Sequence, residues 1–196
     1  MKHASLKKRL LAYVIDMFIV GLIVSIISLG NNTSKLESLN KELYSVNNSY
    51  VNREISDSEY IKLVSNINYD MGMVNVTYNT LYAIICIGYF IMFQYLNDGA
   101  SIGKKLMGIR IINNDNKRIS LFKLIIRTSI IDDIIPALFL VIMLYLTRGV
   151  MYMVLCGLIN IIRLIYMLAS VIMINKREDN LSLNDIMSNS VVIDCK

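Results

Sequence analysis

The sequence predicts an all-α membrane protein with four transmembrane helices and an extracytoplasmic helical loop between the first two. Three observations carry that expectation. Apolar residue types make up 55% of the 196 residues and charged types only 18%, against ~45–50% and ~25% in ordinary soluble domains. The mean hydropathy is +0.52. The apolar residues also gather into four segments, Leu10–Gly30, Thr80–Leu96, Ile134–Thr147 and Val150–Ile174.

Each segment is measured against the bilayer. About 20 residues at 1.5 Å rise cover a hydrocarbon core ~30 Å thick. The first, second and fourth segments reach or approach that length, placing spans at about 10–30, 80–96 and 150–174. The run from Ile134 to Ile174 is twice too long for one span and is divided by Arg148-Gly149, which reads as a tight helical hairpin. Its first arm, at about 131–147, begins among Asp132, Asp133 and Pro136. A proline is tolerated in a first helical turn, where its missing N–H has no partner to lose.

Basic residues set the orientation. Lys2, Lys7, Lys8 and Arg9 precede the first span; Lys104, Lys105, Arg110, Lys117, Arg118, Lys123 and Arg127 fill the connection after the second; Lys176, Arg177 and Lys196 follow the fourth. With four spans all three groups share one side, and the positive-inside rule makes that side the cytoplasm, with both termini on it. This also accounts for the net charge of +5 without a nucleic-acid partner, whereas membrane lipids are an expected one. The N-terminal segment is not expected to be a cleaved signal peptide, because Asp16 interrupts it and no small-x-small cleavage pattern precedes Asn31.

The extracytoplasmic insertion, residues 31–79, is polar but patterned. Ser34-Lys35-Leu36-Glu37 is a capping box, after which Leu36, Leu39, Leu43 and Val46 fall on one face. Ser56-Asp57-Ser58-Glu59 is a second box, with a break expected at Asn47-Asn48-Ser49. A helical hairpin follows, capping its own bundle or docking on a partner.

Several chemistries find no residues. His3 is the only histidine, Cys86 and Cys156 lie inside spans, Cys195 lies in the tail, and there is no CxxC pair. No metal site, cofactor or nucleophile–base set is expected, and the chain reads as a non-enzyme. Gly99 and Gly103 enclose three residues and Lys105 follows Lys104, so the phosphate-loop pattern fails.

Asp16 is the exception to an otherwise apolar first span. An acid in mid-helix costs about 2.5 to 3.5 kcal/mol on insertion scales, so a partner or a function must offset it. Arg9 lies seven positions earlier, ~10.5 Å along the axis, and its side chain snorkels toward the cytoplasm. Arg163, deep in the fourth segment with Asn160 on the same face, is the expected partner. Asp132 and Asp133 are expected to face a helix N-terminus, and Asp185 to cap a short helix or bind Arg9 or Arg110.

Three strings then line up: Arg9-Leu10-Leu11-Ala12-Tyr13-Val14-Ile15-Asp16; Asp98-Gly99-Ala100-Ser101-Ile102-Gly103-Lys104-Lys105-Leu106-Met107-Gly108-Ile109-Arg110-Ile111; and Asn184-Asp185-Ile186-Met187-Ser188-Asn189-Ser190-Val191-Val192-Ile193. Together they resemble the RDD family of bacterial membrane proteins, named for one arginine and two aspartates. The resemblance places that arginine on Arg9 and the aspartates on Asp16 and Asp185. It also places a glycine/basic motif on Gly99, Ser101, Gly103, Lys104, Gly108 and Arg110, with Ser101 where threonine is usual. Asn189 and Ser190 stand in place of a usual glycine and threonine. The resemblance implies one membrane domain over 1–196 in the bacterial inner membrane. Some relatives are linked to sodium–proton antiport, which implies a transport-related component coupled to Na⁺ or H⁺, with Arg9, Asp16 and Asp185, and Arg163 as the expected partner of Asp16, as functional membrane charges. Four helices enclose little space, so this reading expects a homo-oligomer or a membrane-protein partner. The alternative is a non-transporting module that binds, protects or assembles another protein.

Overall fold

In the computed structural model the described residues are 2–27, 33–129, 132 and 134–195. Three helices are long and apolar enough to cross a membrane: α1 (Leu6–Ile27), α4 (Val76–Leu96) and α8 (Gly149–Lys176). Their outer faces carry large apolar side chains, among them Phe18 at 66% and Ile165 at 61% exposure. An apolar surface of that extent needs a non-aqueous solvent.

The expected third span is not of membrane-spanning length among the described residues. Helix α7 (Ile134–Leu146) has 13 residues and is ~20 Å long, short of the ~30 Å core. It ends against the insertion, where the Tyr69 hydroxyl donates to the Leu144 carbonyl at 3.1 Å. The break at Arg148-Gly149 is where the sequence puts it: Gly149 has φ +52° and opens α8. Part of the expected start of this span, including Asp133, and the end of the first expected span at Gly30 lie outside the described residues.

The insertion forms the expected two helices, α2 (Thr33–Val51) and α3 (Asp57–Val74). Leu39 is buried and Leu36, Leu43 and Val46 are partly buried, so the apolar stripe faces inward. Ser56 caps α3 by accepting from the Glu59 amide at 3.3 Å. The turn, however, falls at Asn52–Ser56 and not at Asn47-Asn48-Ser49, which stay helical. Helix α3 runs through Asn75 almost without interruption into α4 and packs on α8. The insertion is therefore built onto the bundle and does not return by a loop to Asn79.

Helices dominate, as expected of an all-α protein, but the fold also contains a small sheet that the sequence reading missed. After α5 (Ile102–Leu106) comes β1 (Ile109–Asn113); then follow α6 (Leu121–Thr128) and, past α8, α9 (Leu183–Met187) and β2 (Ser190–Asp194). The strands pair antiparallel, Ile111 opposite Val192. Residues 2–4 add to the free side of β2, with the Ala4 amide donating to the Val192 carbonyl and the Asp194 amide to the Lys2 carbonyl, both at 2.9 Å. The N-terminus, the connection after α4 and the C-terminal tail therefore lie on one side of the molecule.

Two apolar cores result. Val20, Val24, Cys86, Phe90 and Ile134 fill the helical bundle. Ala4, Ala12, Ile109, Ile111, Leu124 and Val192 fill the module built on the sheet. Asp16 lies on α1 between these two sets.

Candidate functional site

Two polar clusters join the module to the bundle. In the first, Asp16 is 1% exposed and its carboxylate accepts three hydrogen bonds. Tyr89 donates from its hydroxyl to Oδ1 at 2.6 Å, Ser101 to Oδ2 at 2.5 Å, and the Gly103 amide to Oδ1 at 2.7 Å. The donors come from different places. Tyr89 belongs to a π-helical stretch of α4, Ile87–Phe93. Ser101 caps α5, accepting from the Lys104 amide at 3.4 Å, and Gly103 lies in that helix. The Ile102 amide donates to the Tyr89 hydroxyl at 3.2 Å and closes the cluster.

Glycine at 103 is what lets α5 approach α1. A Cβ there would sit 2.3 Å from the Ala12 carbonyl oxygen and 2.8 Å from Asp16 Oδ1. Gly99, at φ +81°, has the same need: its Cβ would meet the Ile111 carbonyl oxygen at 2.1 Å. Gly103→Ala is expected to lower stability by about 2 kcal/mol, as overpacking against backbone does. Helical circular dichroism during thermal unfolding in detergent is the check, and an unchanged midpoint would contradict the contact.

The second cluster centres on Asp185, whose side chain is wholly buried. Arg9 Nη1 donates to its Oδ2 at 2.5 Å, and Arg127 Nη1 to its Oδ1 at 2.6 Å. Asp185 also completes a capping box on α9: the Ser182 amide donates to Oδ2 at 2.7 Å and the Asp185 amide to Ser182 Oγ at 3.2 Å. Arg127 Nη1 donates further to Ser190 Oγ at 2.7 Å. Asn189, which precedes Ser190, has φ +46°, a left-handed conformation that asparagine adopts more readily than most residues. The turn is thus made without glycine.

Burial pushes the Asp185 carboxyl up, but the Arg127 and Arg9 guanidiniums outweigh it and hold the group down at about 2. The folded-state value lies below the unfolded one, so the charge contributes its stability above the unfolded value of about 4 and loses it as pH falls toward 2. The contribution is about 2 kcal/mol. Thermal midpoints should therefore fall less steeply below pH ~4 in Asp185→Asn than in the natural chain; equal slopes would contradict the assignment.

The expected pairing of Asp16 with Arg163 is corrected. The Asp16 oxygens are taken by Tyr89, Ser101 and Gly103. Arg163 instead lines a separate cavity of about 300 Å³ with Asn160, Tyr78, Asn79, Tyr82 and Pro136. Of the two basic partners considered for Asp185, Arg9 is used and Arg110 is not: Arg110 is exposed on β1, opposite Ile193. Gly108 turns α5 into β1 at φ +66°, and its carbonyl accepts from the Cys195 amide at 2.8 Å. Lys104 donates from Nζ to Gln94 Oε1 at 2.8 Å. Desolvation lowers its ammonium pKa, opposed by the charges of Asp132 and Asp16.

Both clusters border one cavity of about 150 Å³ between α1 and α8, lined among others by Arg9, Asp16, Lys104, Arg127 and Asp132. Among the described residues no group of three or more His, Cys, Asp or Glu could hold a metal ion.

The RDD family model matches residues 3–189. The chain belongs to the RDD family. Searches of curated proteins and of solved structures gave no match. As an RDD-family chain with three helices of membrane-spanning length, it is a multi-pass membrane protein. Arg9 and Asp185, on which the resemblance places the family's arginine and second aspartate, meet directly, while Asp16 is held by the glycine string through Ser101 and Gly103. Two residues of the site were not singled out from the sequence. Arg127 stood there only as one cation of a basic connection, although its place in the last turn of the amphipathic α6 is a weak signal. Tyr89 is one of 12 tyrosines and carried none.

Proposed function

We propose that this RDD protein is a transport-related component of the bacterial cytoplasmic membrane, coupled to Na⁺ or H⁺ through Asp16, with both termini in the cytoplasm. The observation that supports it is the position of Asp16: a buried carboxylate at the junction of two packed units, on the wall of a cavity. Intramembrane acids mark ion pathways by default. The sheet that gathers residues 2–4, β1 and β2 on one face supports an even number of passes between them. Helices α7 and α8 then act as a four-pass bundle's second hairpin, with α7 meeting the insertion before it reaches full bilayer depth. Lys8, Arg110 and Lys123 lie on or against the module built on this sheet, and the positive-inside rule assigns that side to the cytoplasm.

The test is Na⁺- or K⁺-driven proton flux in proteoliposomes, comparing the natural protein with Asp16→Asn at equal folded yield. Flux from the natural protein that vanishes in Asp16→Asn supports ion coupling. A well-folded natural protein with no flux refutes it.

A second reading, a module that binds another protein, is favoured by α2. This helix packs chiefly on α3 and leaves Tyr44 and Val51 69% and 78% exposed. Replacing both with serine separates the readings: flux is retained under the first, and a copurifying membrane protein is lost under the second.

A further inference from the structure

The cavity between α1 and α8 has two kinds of wall. One is apolar and faces the bilayer side, with Leu10, Met167 and Val171; the other is polar and lies deeper, with Arg9, Lys104 and Ser170. Leu10 and Val171 are 55% and 42% exposed, so the mouth opens between the two helices onto the apolar surface. On the polar wall two buried atoms are orphaned. Arg9 Nη2 and Ser170 Oγ have no hydrogen-bond partner among the described residues. The Arg9 side chain is 10% exposed and Ser170 is 3% exposed. A buried guanidinium N–H left unpaired is costly, more so than a neutral donor.

The missing partner has a defined chemistry. Arg9 Nη2 can only donate, and Ser170 can donate as well, so the occupant must present acceptor oxygens. Two guanidiniums, Arg9 and Arg127, face one carboxylate, Asp185, leaving one positive charge over at this end. Across the rest of the lining Lys104 stands with the acids Asp16 and Asp132, so the surplus positive charge is local to the Arg9–Arg127 end, where the orphaned Nη2 lies. Water could satisfy two donors, and a cavity of about 150 Å³ has room for several molecules at ~30 Å³ each. Water does not account for the apolar mouth.

We infer that this cavity binds the phosphate group of an anionic membrane lipid, with Arg9 and Ser170 donating to its oxygens and its acyl chains leaving past Leu10 and Val171. The inference rests on the bilayer placement of α1 and α8 proposed above and not on ion coupling.

The test counts lipids on the purified full-length chain in detergent by native mass spectrometry, with thermal unfolding in parallel. The probes are phosphatidylglycerol, phosphatidylcholine and inorganic phosphate. The variants are Ser170→Leu, which fills the cavity with an apolar side chain, and Ser170→Ala, which removes only the orphaned hydroxyl. Because Ser170 Oγ makes no hydrogen bond, neither variant loses an existing contact. Phosphatidylglycerol is expected to be retained about tenfold more strongly than phosphatidylcholine, a difference of ~1.4 kcal/mol, and to raise the unfolding midpoint. Ser170→Leu should lose both effects and Ser170→Ala should weaken them. Equal retention of the two lipids, unaltered by Ser170→Leu, overturns the proposal and leaves water only. Stabilisation by inorganic phosphate with none by phosphatidylglycerol overturns the lipid as source. A chain that leaves the membrane fraction in alkaline carbonate fails the placement itself, before any lipid is counted. Absence of flux from the natural protein with phosphatidylglycerol still retained would refute ion coupling and leave the lipid site standing.

Discussion

Asp185→Ala is expected to be the most damaging single substitution in the chain, at about 3–5 kcal/mol, the cost of breaking a buried ion pair by removing one partner. The reason is what stays behind. Arg9 and Arg127 are 10% and 9% exposed at their side chains, and without the carboxylate two guanidiniums face each other unsolvated. Half of the α9 capping box goes too: Ser182 Oγ keeps the amide of residue 185, but the Ser182 amide loses its acceptor. Asp185→Asn keeps an acceptor for that amide and should recover the capping share, about 1 kcal/mol. A further comparison separates a structural trio from one that also acts. Replacing Arg9 and Arg127 with methionine and Asp185 with leucine together removes all three charges of this cluster at once. Buried ionic groups replaced as a set by apolar residues of like volume are often neutral or stabilising. If the trio only holds the termini together, the triple variant should unfold near the natural midpoint, well above Asp185→Ala. If it stays as unstable as Asp185→Ala, the network supplies register that apolar packing does not replace. Helical circular dichroism in detergent reads both cases, as the chain has no tryptophan.

The spans were legible because length and hydropathy are local properties. Val76–Leu96 and Gly149–Lys176 extend the apolar runs read from the sequence by only a few residues. The first span differs more, since Leu6 to Arg9 are helical as well, their charges being taken up by the module: Lys8 by Asp194 and Arg9 by Asp185. The sheet was not legible. Ile109, Ile111 and Val192 bury one face of it and Ile112, Val191 and Ile193 the other. A ribbon buried on both sides shows no apolar–polar alternation. Its strands are also joined across the whole bundle, a pairing that no local window contains.

The site divides in the same way. Asp16 stood out because charge within apolar sequence is conspicuous, and Asp185 through the family resemblance; Arg9 was among the expected partners of Asp185, but the partners of Asp16 were not legible. The search for a counter-ion led to Arg163, on the premise that a buried acid needs a cation. The structure satisfies Asp16 with neutral donors instead, and two of the three come from the glycine string, which fails the phosphate-loop pattern. Gly103 shows why: the residue that matters contributes an amide and the absence of a side chain, neither of which composition displays.

Asp16→Ala and Asp16→Asn are expected to separate sharply, and the gap between them is the second large effect. Alanine leaves the Tyr89 hydroxyl, the Ser101 hydroxyl and the Gly103 amide without their acceptor, at ~1–3 kcal/mol for each buried group that finds no substitute. The two hydroxyls can turn toward water in the adjoining cavity, but the Gly103 amide is fixed by α5. A loss of about 3–4 kcal/mol is therefore expected. Asparagine differs from aspartate here at one oxygen. Its carbonyl can stand at the Oδ1 position and accept from both Tyr89 and Gly103. Its NH₂ then meets Ser101 Oγ, which is free to rotate and accept. The expected cost is about 1 kcal/mol, the loss of the charge-assisted part of three hydrogen bonds. Thermal unfolding of the two variants side by side checks the order. Asparagine as damaging as alanine would mean that the negative charge itself holds the module to the bundle. Asparagine nearly as stable as the natural chain makes the flux comparison decisive, because ion coupling can then be lost without losing the fold. In that case the proposed ion coupling gains support, because the carboxylate borders a cavity with Lys104 and Asp132 at the junction of the two packed units, where a bound cation would be felt by both.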